Sequence, residues 1–186
     1  MKGSGEKTSP RVRLVVHHHV GFVLVKPHYP ENVGASARAI KTMGFDRLVL
    51  VGAGRLAVPE HNMAFKMSVR AWDVLDASER YGSLAEAVKG SLVVATSSHR
   101  GLSGVLTARD AAGLLVAEAA RGRQIRILFG NEKTGLSAEE LETADVRVRL
   151  PMAGDQPSIN LAQAVQLVAY ELFVAGLAAR ARGDDA

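Results

Sequence analysis

Cysteine is missing from all 186 residues of this sequence. Its absence excludes disulfide bonds and zinc sites built on thiolates. Apolar runs long enough to cross a membrane are also missing, and the first 13 residues carry charge and glycine instead of the apolar segment of a secretory signal. We therefore expect a cytoplasmic protein with no membrane partner.

The composition is that of an ordinary globular domain, with 47% apolar and 23% charged residues. A chain of this length can bury one proper core, and no linker-like segment divides it. We predict a flexible basic tail over residues 1–13 and one folded domain over residues 14–186. The formal charge of +4 and the pI of about 9.6 permit a polyanionic partner without establishing one.

Strand-like and helix-like segments alternate along the chain. The predicted strands are Val20–Val25, Arg47–Val51, Ala71–Leu75, Leu92–Ala95, Ile125–Phe129 and Asp145–Leu150. The predicted helices are Asn32–Met43, His61–Ser68, one between Ser83 and Gly90, Thr107–Arg121, a short one from Ser137 and a long one from Leu161. This alternation predicts an α/β domain with a mostly parallel six-stranded sheet and helices on both faces.

Three polar loops follow predicted strands, namely Thr96–Ser98, Gly130–Gly135 and Pro151–Ser158. Ligands of parallel sheets bind at the carboxyl ends of the strands, so these loops are candidate binding loops. The third loop opens directly into the last helix, where unpaired backbone N–H groups gather near Ser158 and Asn160. Either residue alone could be a helix cap, but both after so irregular a loop favour a ligand site.

Two glycine-containing segments resemble nucleotide-binding motifs. Gly130–Gly135 is not a Walker A loop, because Leu136 follows its second glycine, so it is either an ordinary turn or a loop that lets a ligand approach the backbone. Gly52–Ala57 fits the dinucleotide pattern G-x-G-x-x-A, but Pro59 falls where the required helix should continue. An NAD-binding oxidoreductase remains an alternative that rests on Gly52–Ala57 alone.

Arg38 lies one turn after Gly34 on the same face of its helix, which would leave space for a bulky ligand beside the arginine. A solvated arginine on a polar face is the alternative. A solvated run explains His17–His19 better than a metal site, because adjacent histidines point in different directions. The last helix carries Tyr170, Phe173 and Leu177 on a second face, and a homodimer contact would cover them.

Taken together, three stretches resemble the motifs of the SpoU/TrmH family of SPOUT RNA 2′-O-ribose methyltransferases, and most closely its TrmJ branch. The first is NVGASARAIKTMGF, with Asn32 and Arg38 at its marked positions. The second is LFGNEKTGL, with Gly130, Asn131, Glu132 and Gly135. The third is LPMAGDQPSINLAQAVQLVAYEL, with Pro151, Ser158 and Asn160. The resemblance covers essentially residues 21–179.

The resemblance implies a SPOUT catalytic domain with a C-terminal trefoil knot, although knots are rare among folds in general. It implies S-adenosylmethionine as the methyl donor, no metal, and a homodimer formed by the first and last helices. The implied substrate is the ribose 2′-hydroxyl of tRNA, at cytidine or uridine 32 of the anticodon loop. The alternatives are rRNA, the wobble nucleotide of tRNA, and an RNA-binding relative without turnover.

The resemblance also implies residue roles. Arg38 would reach the active site formed with the partner chain, bind a substrate phosphate and orient the hydroxyl, because a free guanidinium is a poor base. Asn32 and Glu132 would position Arg38, while Ser158 and Asn160 would order the donor pocket and the acceptor side. The donor pocket would be lined by Thr96, Ser97, Ser98, Gly130, Leu150, Met152, Ser158, Ile159 and Leu161.

Two features depart from the family pattern. The TrmJ branch usually carries a helical C-terminal extension that helps to grip tRNA, whereas this sequence ends at Ala186. In the segment 63–72, Lys66, Met67 and Arg70 stand where small residues are common in the family.

Overall fold

The computed structural model describes residues 12–99, 101–154 and 158–184. The predicted basic tail lies outside these ranges except for its last two residues, so that prediction stays untested. The described chain forms one seven-stranded sheet in which every neighbouring pair of strands is parallel. The strands are β1 (Val20–Val25), β2 (Leu48–Val51), β3 (Glu79–Tyr81), β4 (Leu92–Thr96), β5 (Val105–Thr107), β6 (Ile125–Phe129) and β7 (Val146–Arg149).

The sheet order is β3-β2-β1-β6-β4-β7-β5. Strand β6 therefore lies between β1 and β4, with Phe22 and Val94 both in register with Ile127. This order brings the carboxyl ends of β6, β4 and β7 side by side, although these strands are far apart in the chain.

The predicted α/β class and parallel sheet are confirmed, but the prediction of six strands is wrong. Residues 71–75 are not a strand: Ala71, Val74 and Leu75 are buried at a spacing of three and four residues, and the segment folds as a helix. Strands β3 and β5 were missed because each has only three residues and lies at an edge of the sheet. Short edge strands carry little of the apolar pattern on which sequence prediction relies.

The helices among the described residues are α1 (Val15–His19), α2 (Pro30–Thr42), α3 (Asn62–Ser68), α4 (Trp72–Asp76), α5 (Leu84–Val88), α6 (Ala108–Ala120), α7 (Ala138–Glu142) and α8 (Leu161–Arg182). Several begin at the caps that the sequence indicates. Ser83, Thr107 and Ser137 each accept a hydrogen bond from the backbone N–H three residues ahead.

The core has two parts, one on each face of the sheet. Central strand residues alternate between the two: Phe22 and Leu24 face one cluster, whereas Val23 and Val25 face the other. The first cluster includes residues of α2, α6 and α8, and the second includes residues of α5 and α7. Helices therefore cover both faces, as predicted, and the strands read as continuous apolar runs because both faces are buried.

Helix α8 is the one helix in the described part of the chain that is long and apolar enough to cross a membrane. Its residues Leu161, Val165 and Leu172 are buried in the core of the domain. Packing in the domain core accounts for these residues, whereas Leu167, Tyr170, Val174 and Leu177 of the same helix are exposed.

The expectation of a solvated histidine run is wrong for its first member. His17 is buried, with its ring in edge contact with Phe45 and stacked near Phe173 of α8. His18 is exposed and His19 is half-buried. The three rings thus occupy different environments, as adjacent residues on a helix do.

Candidate functional site

A cavity of about 340 Å³ opens at the carboxyl ends of β4, β6 and β7. The loops that follow these strands form its walls, because the sheet order makes the three strands neighbours. The start of α8 closes one side through Leu161 and Ala164. The cavity therefore lies at the strand ends where the sequence predicts a binding site.

All nine residues that the family resemblance places around a methyl donor line this one cavity, namely Thr96, Ser97, Ser98, Gly130, Leu150, Met152, Ser158, Ile159 and Leu161. Asn131, Lys133, Thr134 and Gly135 lie in the predicted binding loop Gly130–Gly135, whereas four other lining residues were not predicted from the sequence: Phe129, Leu136, His99 and Ala164. Most of these adjoin a predicted residue in the chain, and that adjacency is the signal that could have identified them.

Backbone contacts fix the shape of the loop after β6. A Cβ atom on Gly130 would lie 2.1 Å from the carbonyl carbon of Gly135, so only glycine lets the two ends of the loop meet. The Asn131 side chain accepts hydrogen bonds from the backbone N–H groups of Lys133 and Thr134, both at 2.9 Å. Gly135 has a φ of 70°, a conformation that suits glycine. Contacts between its own residues therefore hold the loop in one conformation.

Three polar side chains form a hydrogen-bonded chain beside the cavity. The amide nitrogen of Asn32 on α2 donates to Oε1 of Glu132 at 2.7 Å. The amide nitrogen of Asn160 donates to Oδ1 of Asn32 at 3.0 Å. These bonds join the β6 loop, helix α2 and the start of α8, although Asn32 is 100 residues from Glu132 and 128 residues from Asn160 in the chain.

Glu132 also accepts hydrogen bonds from the backbone N–H groups of His28 at 2.9 Å and Tyr29 at 3.2 Å, just before α2. Burial alone would raise the pKa of its carboxyl, but the bonds from Asn32 and from these backbone groups outweigh burial and lower the pKa. The side chain is therefore a carboxylate at neutral pH and fixes the start of α2. The part of His28 and Tyr29 was missed because backbone donors have no sequence signature.

Asn160 caps α8, as its Oδ1 accepts from the N–H groups of Ala162 at 3.0 Å and Gln163 at 3.3 Å. Its amide nitrogen simultaneously bonds Asn32, so capping and tethering are both present in one side chain. Ser158 is exposed and forms no hydrogen bond with the residues that the structure describes, so it is not a cap here.

Arg38 does not line the cavity of its own chain, and its side chain is exposed on α2. The space expected beside Gly34 is filled by protein: a Cβ there would lie 1.9 Å from the backbone oxygen of Ala64. Gly34 therefore serves close packing of α2 against α3, which corrects the expectation of room for a ligand.

The segment Gly52–Ala57 does not open a helix. Turns and bends follow β2, and the next helix, α3, begins only at Asn62. A dinucleotide fingerprint requires a helix N-terminus directly after the glycines to hold the pyrophosphate. The segment also contributes no residue to the cavity. The structure therefore gives no support to the NAD alternative.

The cavity combines an apolar wall with hydroxyl groups and loop backbone. Phe129, Leu136 and Leu150 supply apolar surface, and Thr96 and Ser97 supply hydroxyls. Such a lining suits a small ligand with a flat heterocycle and a few polar atoms. No cluster of metal-ligating side chains occurs among the residues covered by the structure.

The comparison with family models matches residues 19–170 to the SpoU rRNA methylase family. A tRNA (cytidine/uridine-2′-O-)-methyltransferase TrmJ of Yersinia pestis is 37% identical over 162 residues, which are 86% of this chain and 62% of that protein. The chain thus spans about 62% of the length of this curated relative.

Solved structures agree in fold. The crystal structure of TrmJ from Z. mobilis ZM4 is 33% identical and superposes with a TM-score of 0.72 over 83% of this chain and 69% of that one. A structure described as giving insights into 2′-OH methylation of C/U34 on tRNA is 29% identical, with a TM-score of 0.64 over 83% of this chain and 93% of that one. With its three family motifs joined by the hydrogen bonds of Asn32, Glu132 and Asn160 and the family model matched over most of its length, the chain belongs to the SpoU rRNA methylase family.

Proposed function

We propose that this protein transfers a methyl group from S-adenosylmethionine to a ribose 2′-hydroxyl of tRNA, at cytidine or uridine 32, in the cytoplasm. The observation that carries the proposal is that the second and third motifs line one cavity and that Asn32 of the first motif is hydrogen-bonded to Glu132 and Asn160 beside it. Family membership supports the reaction type, and the name of the Yersinia relative supports the tRNA substrate.

The cavity fits the proposed donor. Its apolar residues offer surface for an adenine ring, and its strand-end loops offer backbone N–H and C=O groups for the edge of that ring. When bound, the donor supplies a methyl group on a cationic sulfur. The protein then has to hold the acceptor hydroxyl in line with that methyl group, so orientation is much of the catalysis.

We assign that orientation to Arg38 acting on RNA. The attacking hydroxyl must lose its proton, and a guanidinium, which stays protonated at neutral pH, is a poor base. Arg38 therefore binds an RNA phosphate and turns the hydroxyl toward the donor. Glu132 and Asn32 affect Arg38 indirectly, because they fix the start of α2 and Arg38 lies about two turns further along this helix.

A homodimer completes the site in this proposal, with contacts through α2 and α8, the first and last long helices. Arg38 lies outside the cavity of its own chain, which supports an arginine supplied by a second copy. Large apolar residues are exposed along α8, namely Leu167, Tyr170, Val174 and Leu177. Contact with the second copy would cover them.

The finer fold in this proposal is the C-terminal trefoil knot of the SPOUT class. The strand order supports it, because β6 inserts between β1 and β4, and the late strand β7 lies on the far side of β4.

The test is methyl transfer from labelled S-adenosylmethionine to pools of unmodified tRNA and rRNA, followed by mapping of the methylated nucleotide. We expect incorporation at nucleotide 32 of tRNA. Label at nucleotide 34 would favour the wobble alternative, which the similarity to the C/U34 structure supports. A donor-binding dimer that labels no RNA would contradict the proposal and favour an inactive RNA-binding relative.

Arg38→Ala should lower methyl transfer at least about a hundredfold while donor affinity stays unchanged, because positioning of a reacting group is typically worth that much. Equilibrium binding of labelled donor checks the second half of this prediction. Full turnover by the variant would remove Arg38 from the mechanism.

A further inference from the structure

Helices α3 and α4 and the turn between them carry an exposed surface outside the proposed donor cavity. We call it the α3–α4 surface, and its main residues are Phe65, Lys66, Arg70 and Trp72. Phe65 and Trp72 are 60% and 59% exposed and line one shallow groove. No residue of this groove also lines the donor cavity; its members are Pro59, Glu60, Asn62, Phe65, Trp72, Leu75 and Asp76. Two aromatic rings held open to solvent at one groove are unusual for a surface with no partner.

Free positive charge lies in the same segment. Lys66 and Arg70 are exposed, and neither forms an ion pair with any residue that the structure describes. By contrast, the nearby carboxylates of Glu60 and Asp73 are paired with Arg80 and Lys41. Asp76 in the groove is exposed and forms no ion pair with a described residue, so two free cations stand against one free carboxylate and the α3–α4 surface has a net attraction for anions.

The turn between α3 and α4 holds Arg70 in a costly conformation. Val69 has a φ of 23° and Arg70 a φ of 59°, in a region that non-glycine residues rarely adopt. The backbone oxygen of Arg70 accepts a hydrogen bond from Nζ of Lys41 at 2.8 Å, which ties the turn to α2. Glycine would suit this position better for folding, so the arginine side chain points to a role outside the fold.

Helix α2 connects this surface with the proposed active arginine. Gly34, Arg38 and Lys41 share one face of α2 at spacings of four and three residues. Gly34 packs against the backbone of Ala64 in α3, and Lys41 bonds the turn at Arg70. Arg38 therefore lies between the two places where α2 contacts α3 and the α3–α4 turn. An RNA strand bound at Arg38 can continue onto the α3–α4 surface.

We propose that the α3–α4 surface binds the RNA substrate, with unpaired bases stacked on Phe65 and Trp72 and phosphates held by Lys66 and Arg70. Aromatic rings beside free cations are the pattern of single-stranded RNA recognition. A second protein copy fits less well, because charged residues are depleted at the core of protein interfaces. This inference rests on the proposed function, since it takes the same RNA as ligand.

The first test uses the single tryptophan of the sequence, Trp72. Titration of the full chain with unmodified tRNA should quench its fluorescence as a base stacks on the indole. No change in emission on saturation with tRNA would overturn the proposal. A blue shift that grows with protein concentration in the absence of RNA would also overturn it, because the surface would then be covered by a second copy.

The second test measures affinity for fluorescently labelled tRNA. Trp72→Ala should raise Kd about tenfold and Trp72→Phe much less, because any aromatic face can stack. Lys66→Gln should lower the slope of log Kd against log salt by about 0.7, the value for one phosphate contact on a single strand. Lys89→Gln, an exposed lysine after α5 on the other face of the sheet, is the matched control and should change neither quantity.

Donor binding and methyl transfer are measured on the same proteins. If the wild-type chain methylates tRNA but Trp72→Ala and Lys66→Gln bind it as tightly as wild type, the surface assignment fails and the proposed function stands. If the wild-type chain quenches with tRNA yet neither binds donor nor transfers methyl, the proposed function fails and the RNA surface stands.

Discussion

The proposed donor cavity and the α3–α4 surface lie on either side of helix α2 and are built in opposite ways. At the cavity, Asn32, Glu132 and Asn160 satisfy one another and half-buried loops hold the shape. On the α3–α4 surface, aromatic rings and cations are exposed and the turn at Val69 is strained. A small donor needs a preformed pocket, whereas a long polyanion needs accessible charge and flat rings.

This difference between the two regions predicts which residues tolerate substitution. In the cavity a substitution affects folding and binding together, because the side chains that shape the site also hold three chain segments in place. On the α3–α4 surface the exposed side chains can change with little effect on stability. Helix α2 links the two regions, since Glu132 fixes its start and Lys41 ties its end to the turn at Arg70.

The largest expected effect is that of Gly130→Ala. Its Cβ would lie 2.1 Å from the carbonyl carbon of Gly135, so the loop must open. We expect loss of donor binding and a fall of about 3 kcal/mol in the free energy of unfolding, measured by calorimetry and denaturant titration. Gly113→Ala, in an open stretch of α6, is the control and should stabilise the helix by about 0.5–1 kcal/mol. Equal donor affinity in both variants would contradict the role of Gly130.

Gly34→Ala should have a somewhat smaller effect and separate stability from donor binding. Its Cβ would lie 1.9 Å from the backbone oxygen of Ala64, and α3 must move away from α2. Helix α3 has only seven residues and can shift, so we expect a loss of about 2 kcal/mol in denaturant titration. Donor affinity should remain close to wild type while tRNA affinity falls. A loss of donor affinity in Gly34→Ala would contradict this separation and would show that α2 transmits the change to the cavity.

Glu132→Gln tests the bonded network through pH. The lowered pKa means that this carboxylate stabilises the fold fully above its unfolded value of 4.5 and loses that contribution as the pH falls through the folded value. At pH 7 the variant should be less stable by about 2 kcal/mol, the scale of hydrogen bonds to a charged group. Thermal melts between pH 3 and 7 should show the difference in stability between the variant and wild type narrowing below about pH 4.5, the pKa of this carboxyl in the unfolded chain.

Glu142→Gln, which removes an exposed carboxylate at the end of α7, serves as the control for that series. Its stability should run parallel to wild type across the pH range. A constant gap between Glu132→Gln and wild type down to pH 3 would show that ionisation of Glu132 does not support the network.

Arg70→Gly should have the smallest effect on folding and the opposite sign. Glycine relieves the left-handed conformation at φ 59° but gains freedom when unfolded, so the net change is a stabilisation of about 0.5 kcal/mol. A melting temperature equal to or above that of wild type, combined with weaker tRNA binding, would show that the Arg70 side chain serves RNA binding and not folding. A clear loss of stability would show that the arginine side chain supports the fold.

Much of the fold could be predicted because its signals are local. The apolar runs of β1 and β6 and the caps at Thr107 and Ser137 depend on neighbours in sequence. The failures have the same origin: β3 is a three-residue polar edge strand, and the segment 71–75 contains too few residues to show its helical period clearly.

The sequence by itself determined the α/β class, the three loop motifs and the residue types around the cavity, since each depends on short-range pattern or on family resemblance. Only the tertiary structure decided that Glu132 bonds the backbone before α2, that Gly34 serves packing against Ala64, and that Phe65 and Trp72 share a groove. Those facts depend on which distant segments the sheet order brings together. No local pattern encodes the order β1-β6-β4-β7, because hydrogen bonding between parallel strands depends on the backbone and leaves the choice of neighbour to packing of the whole chain.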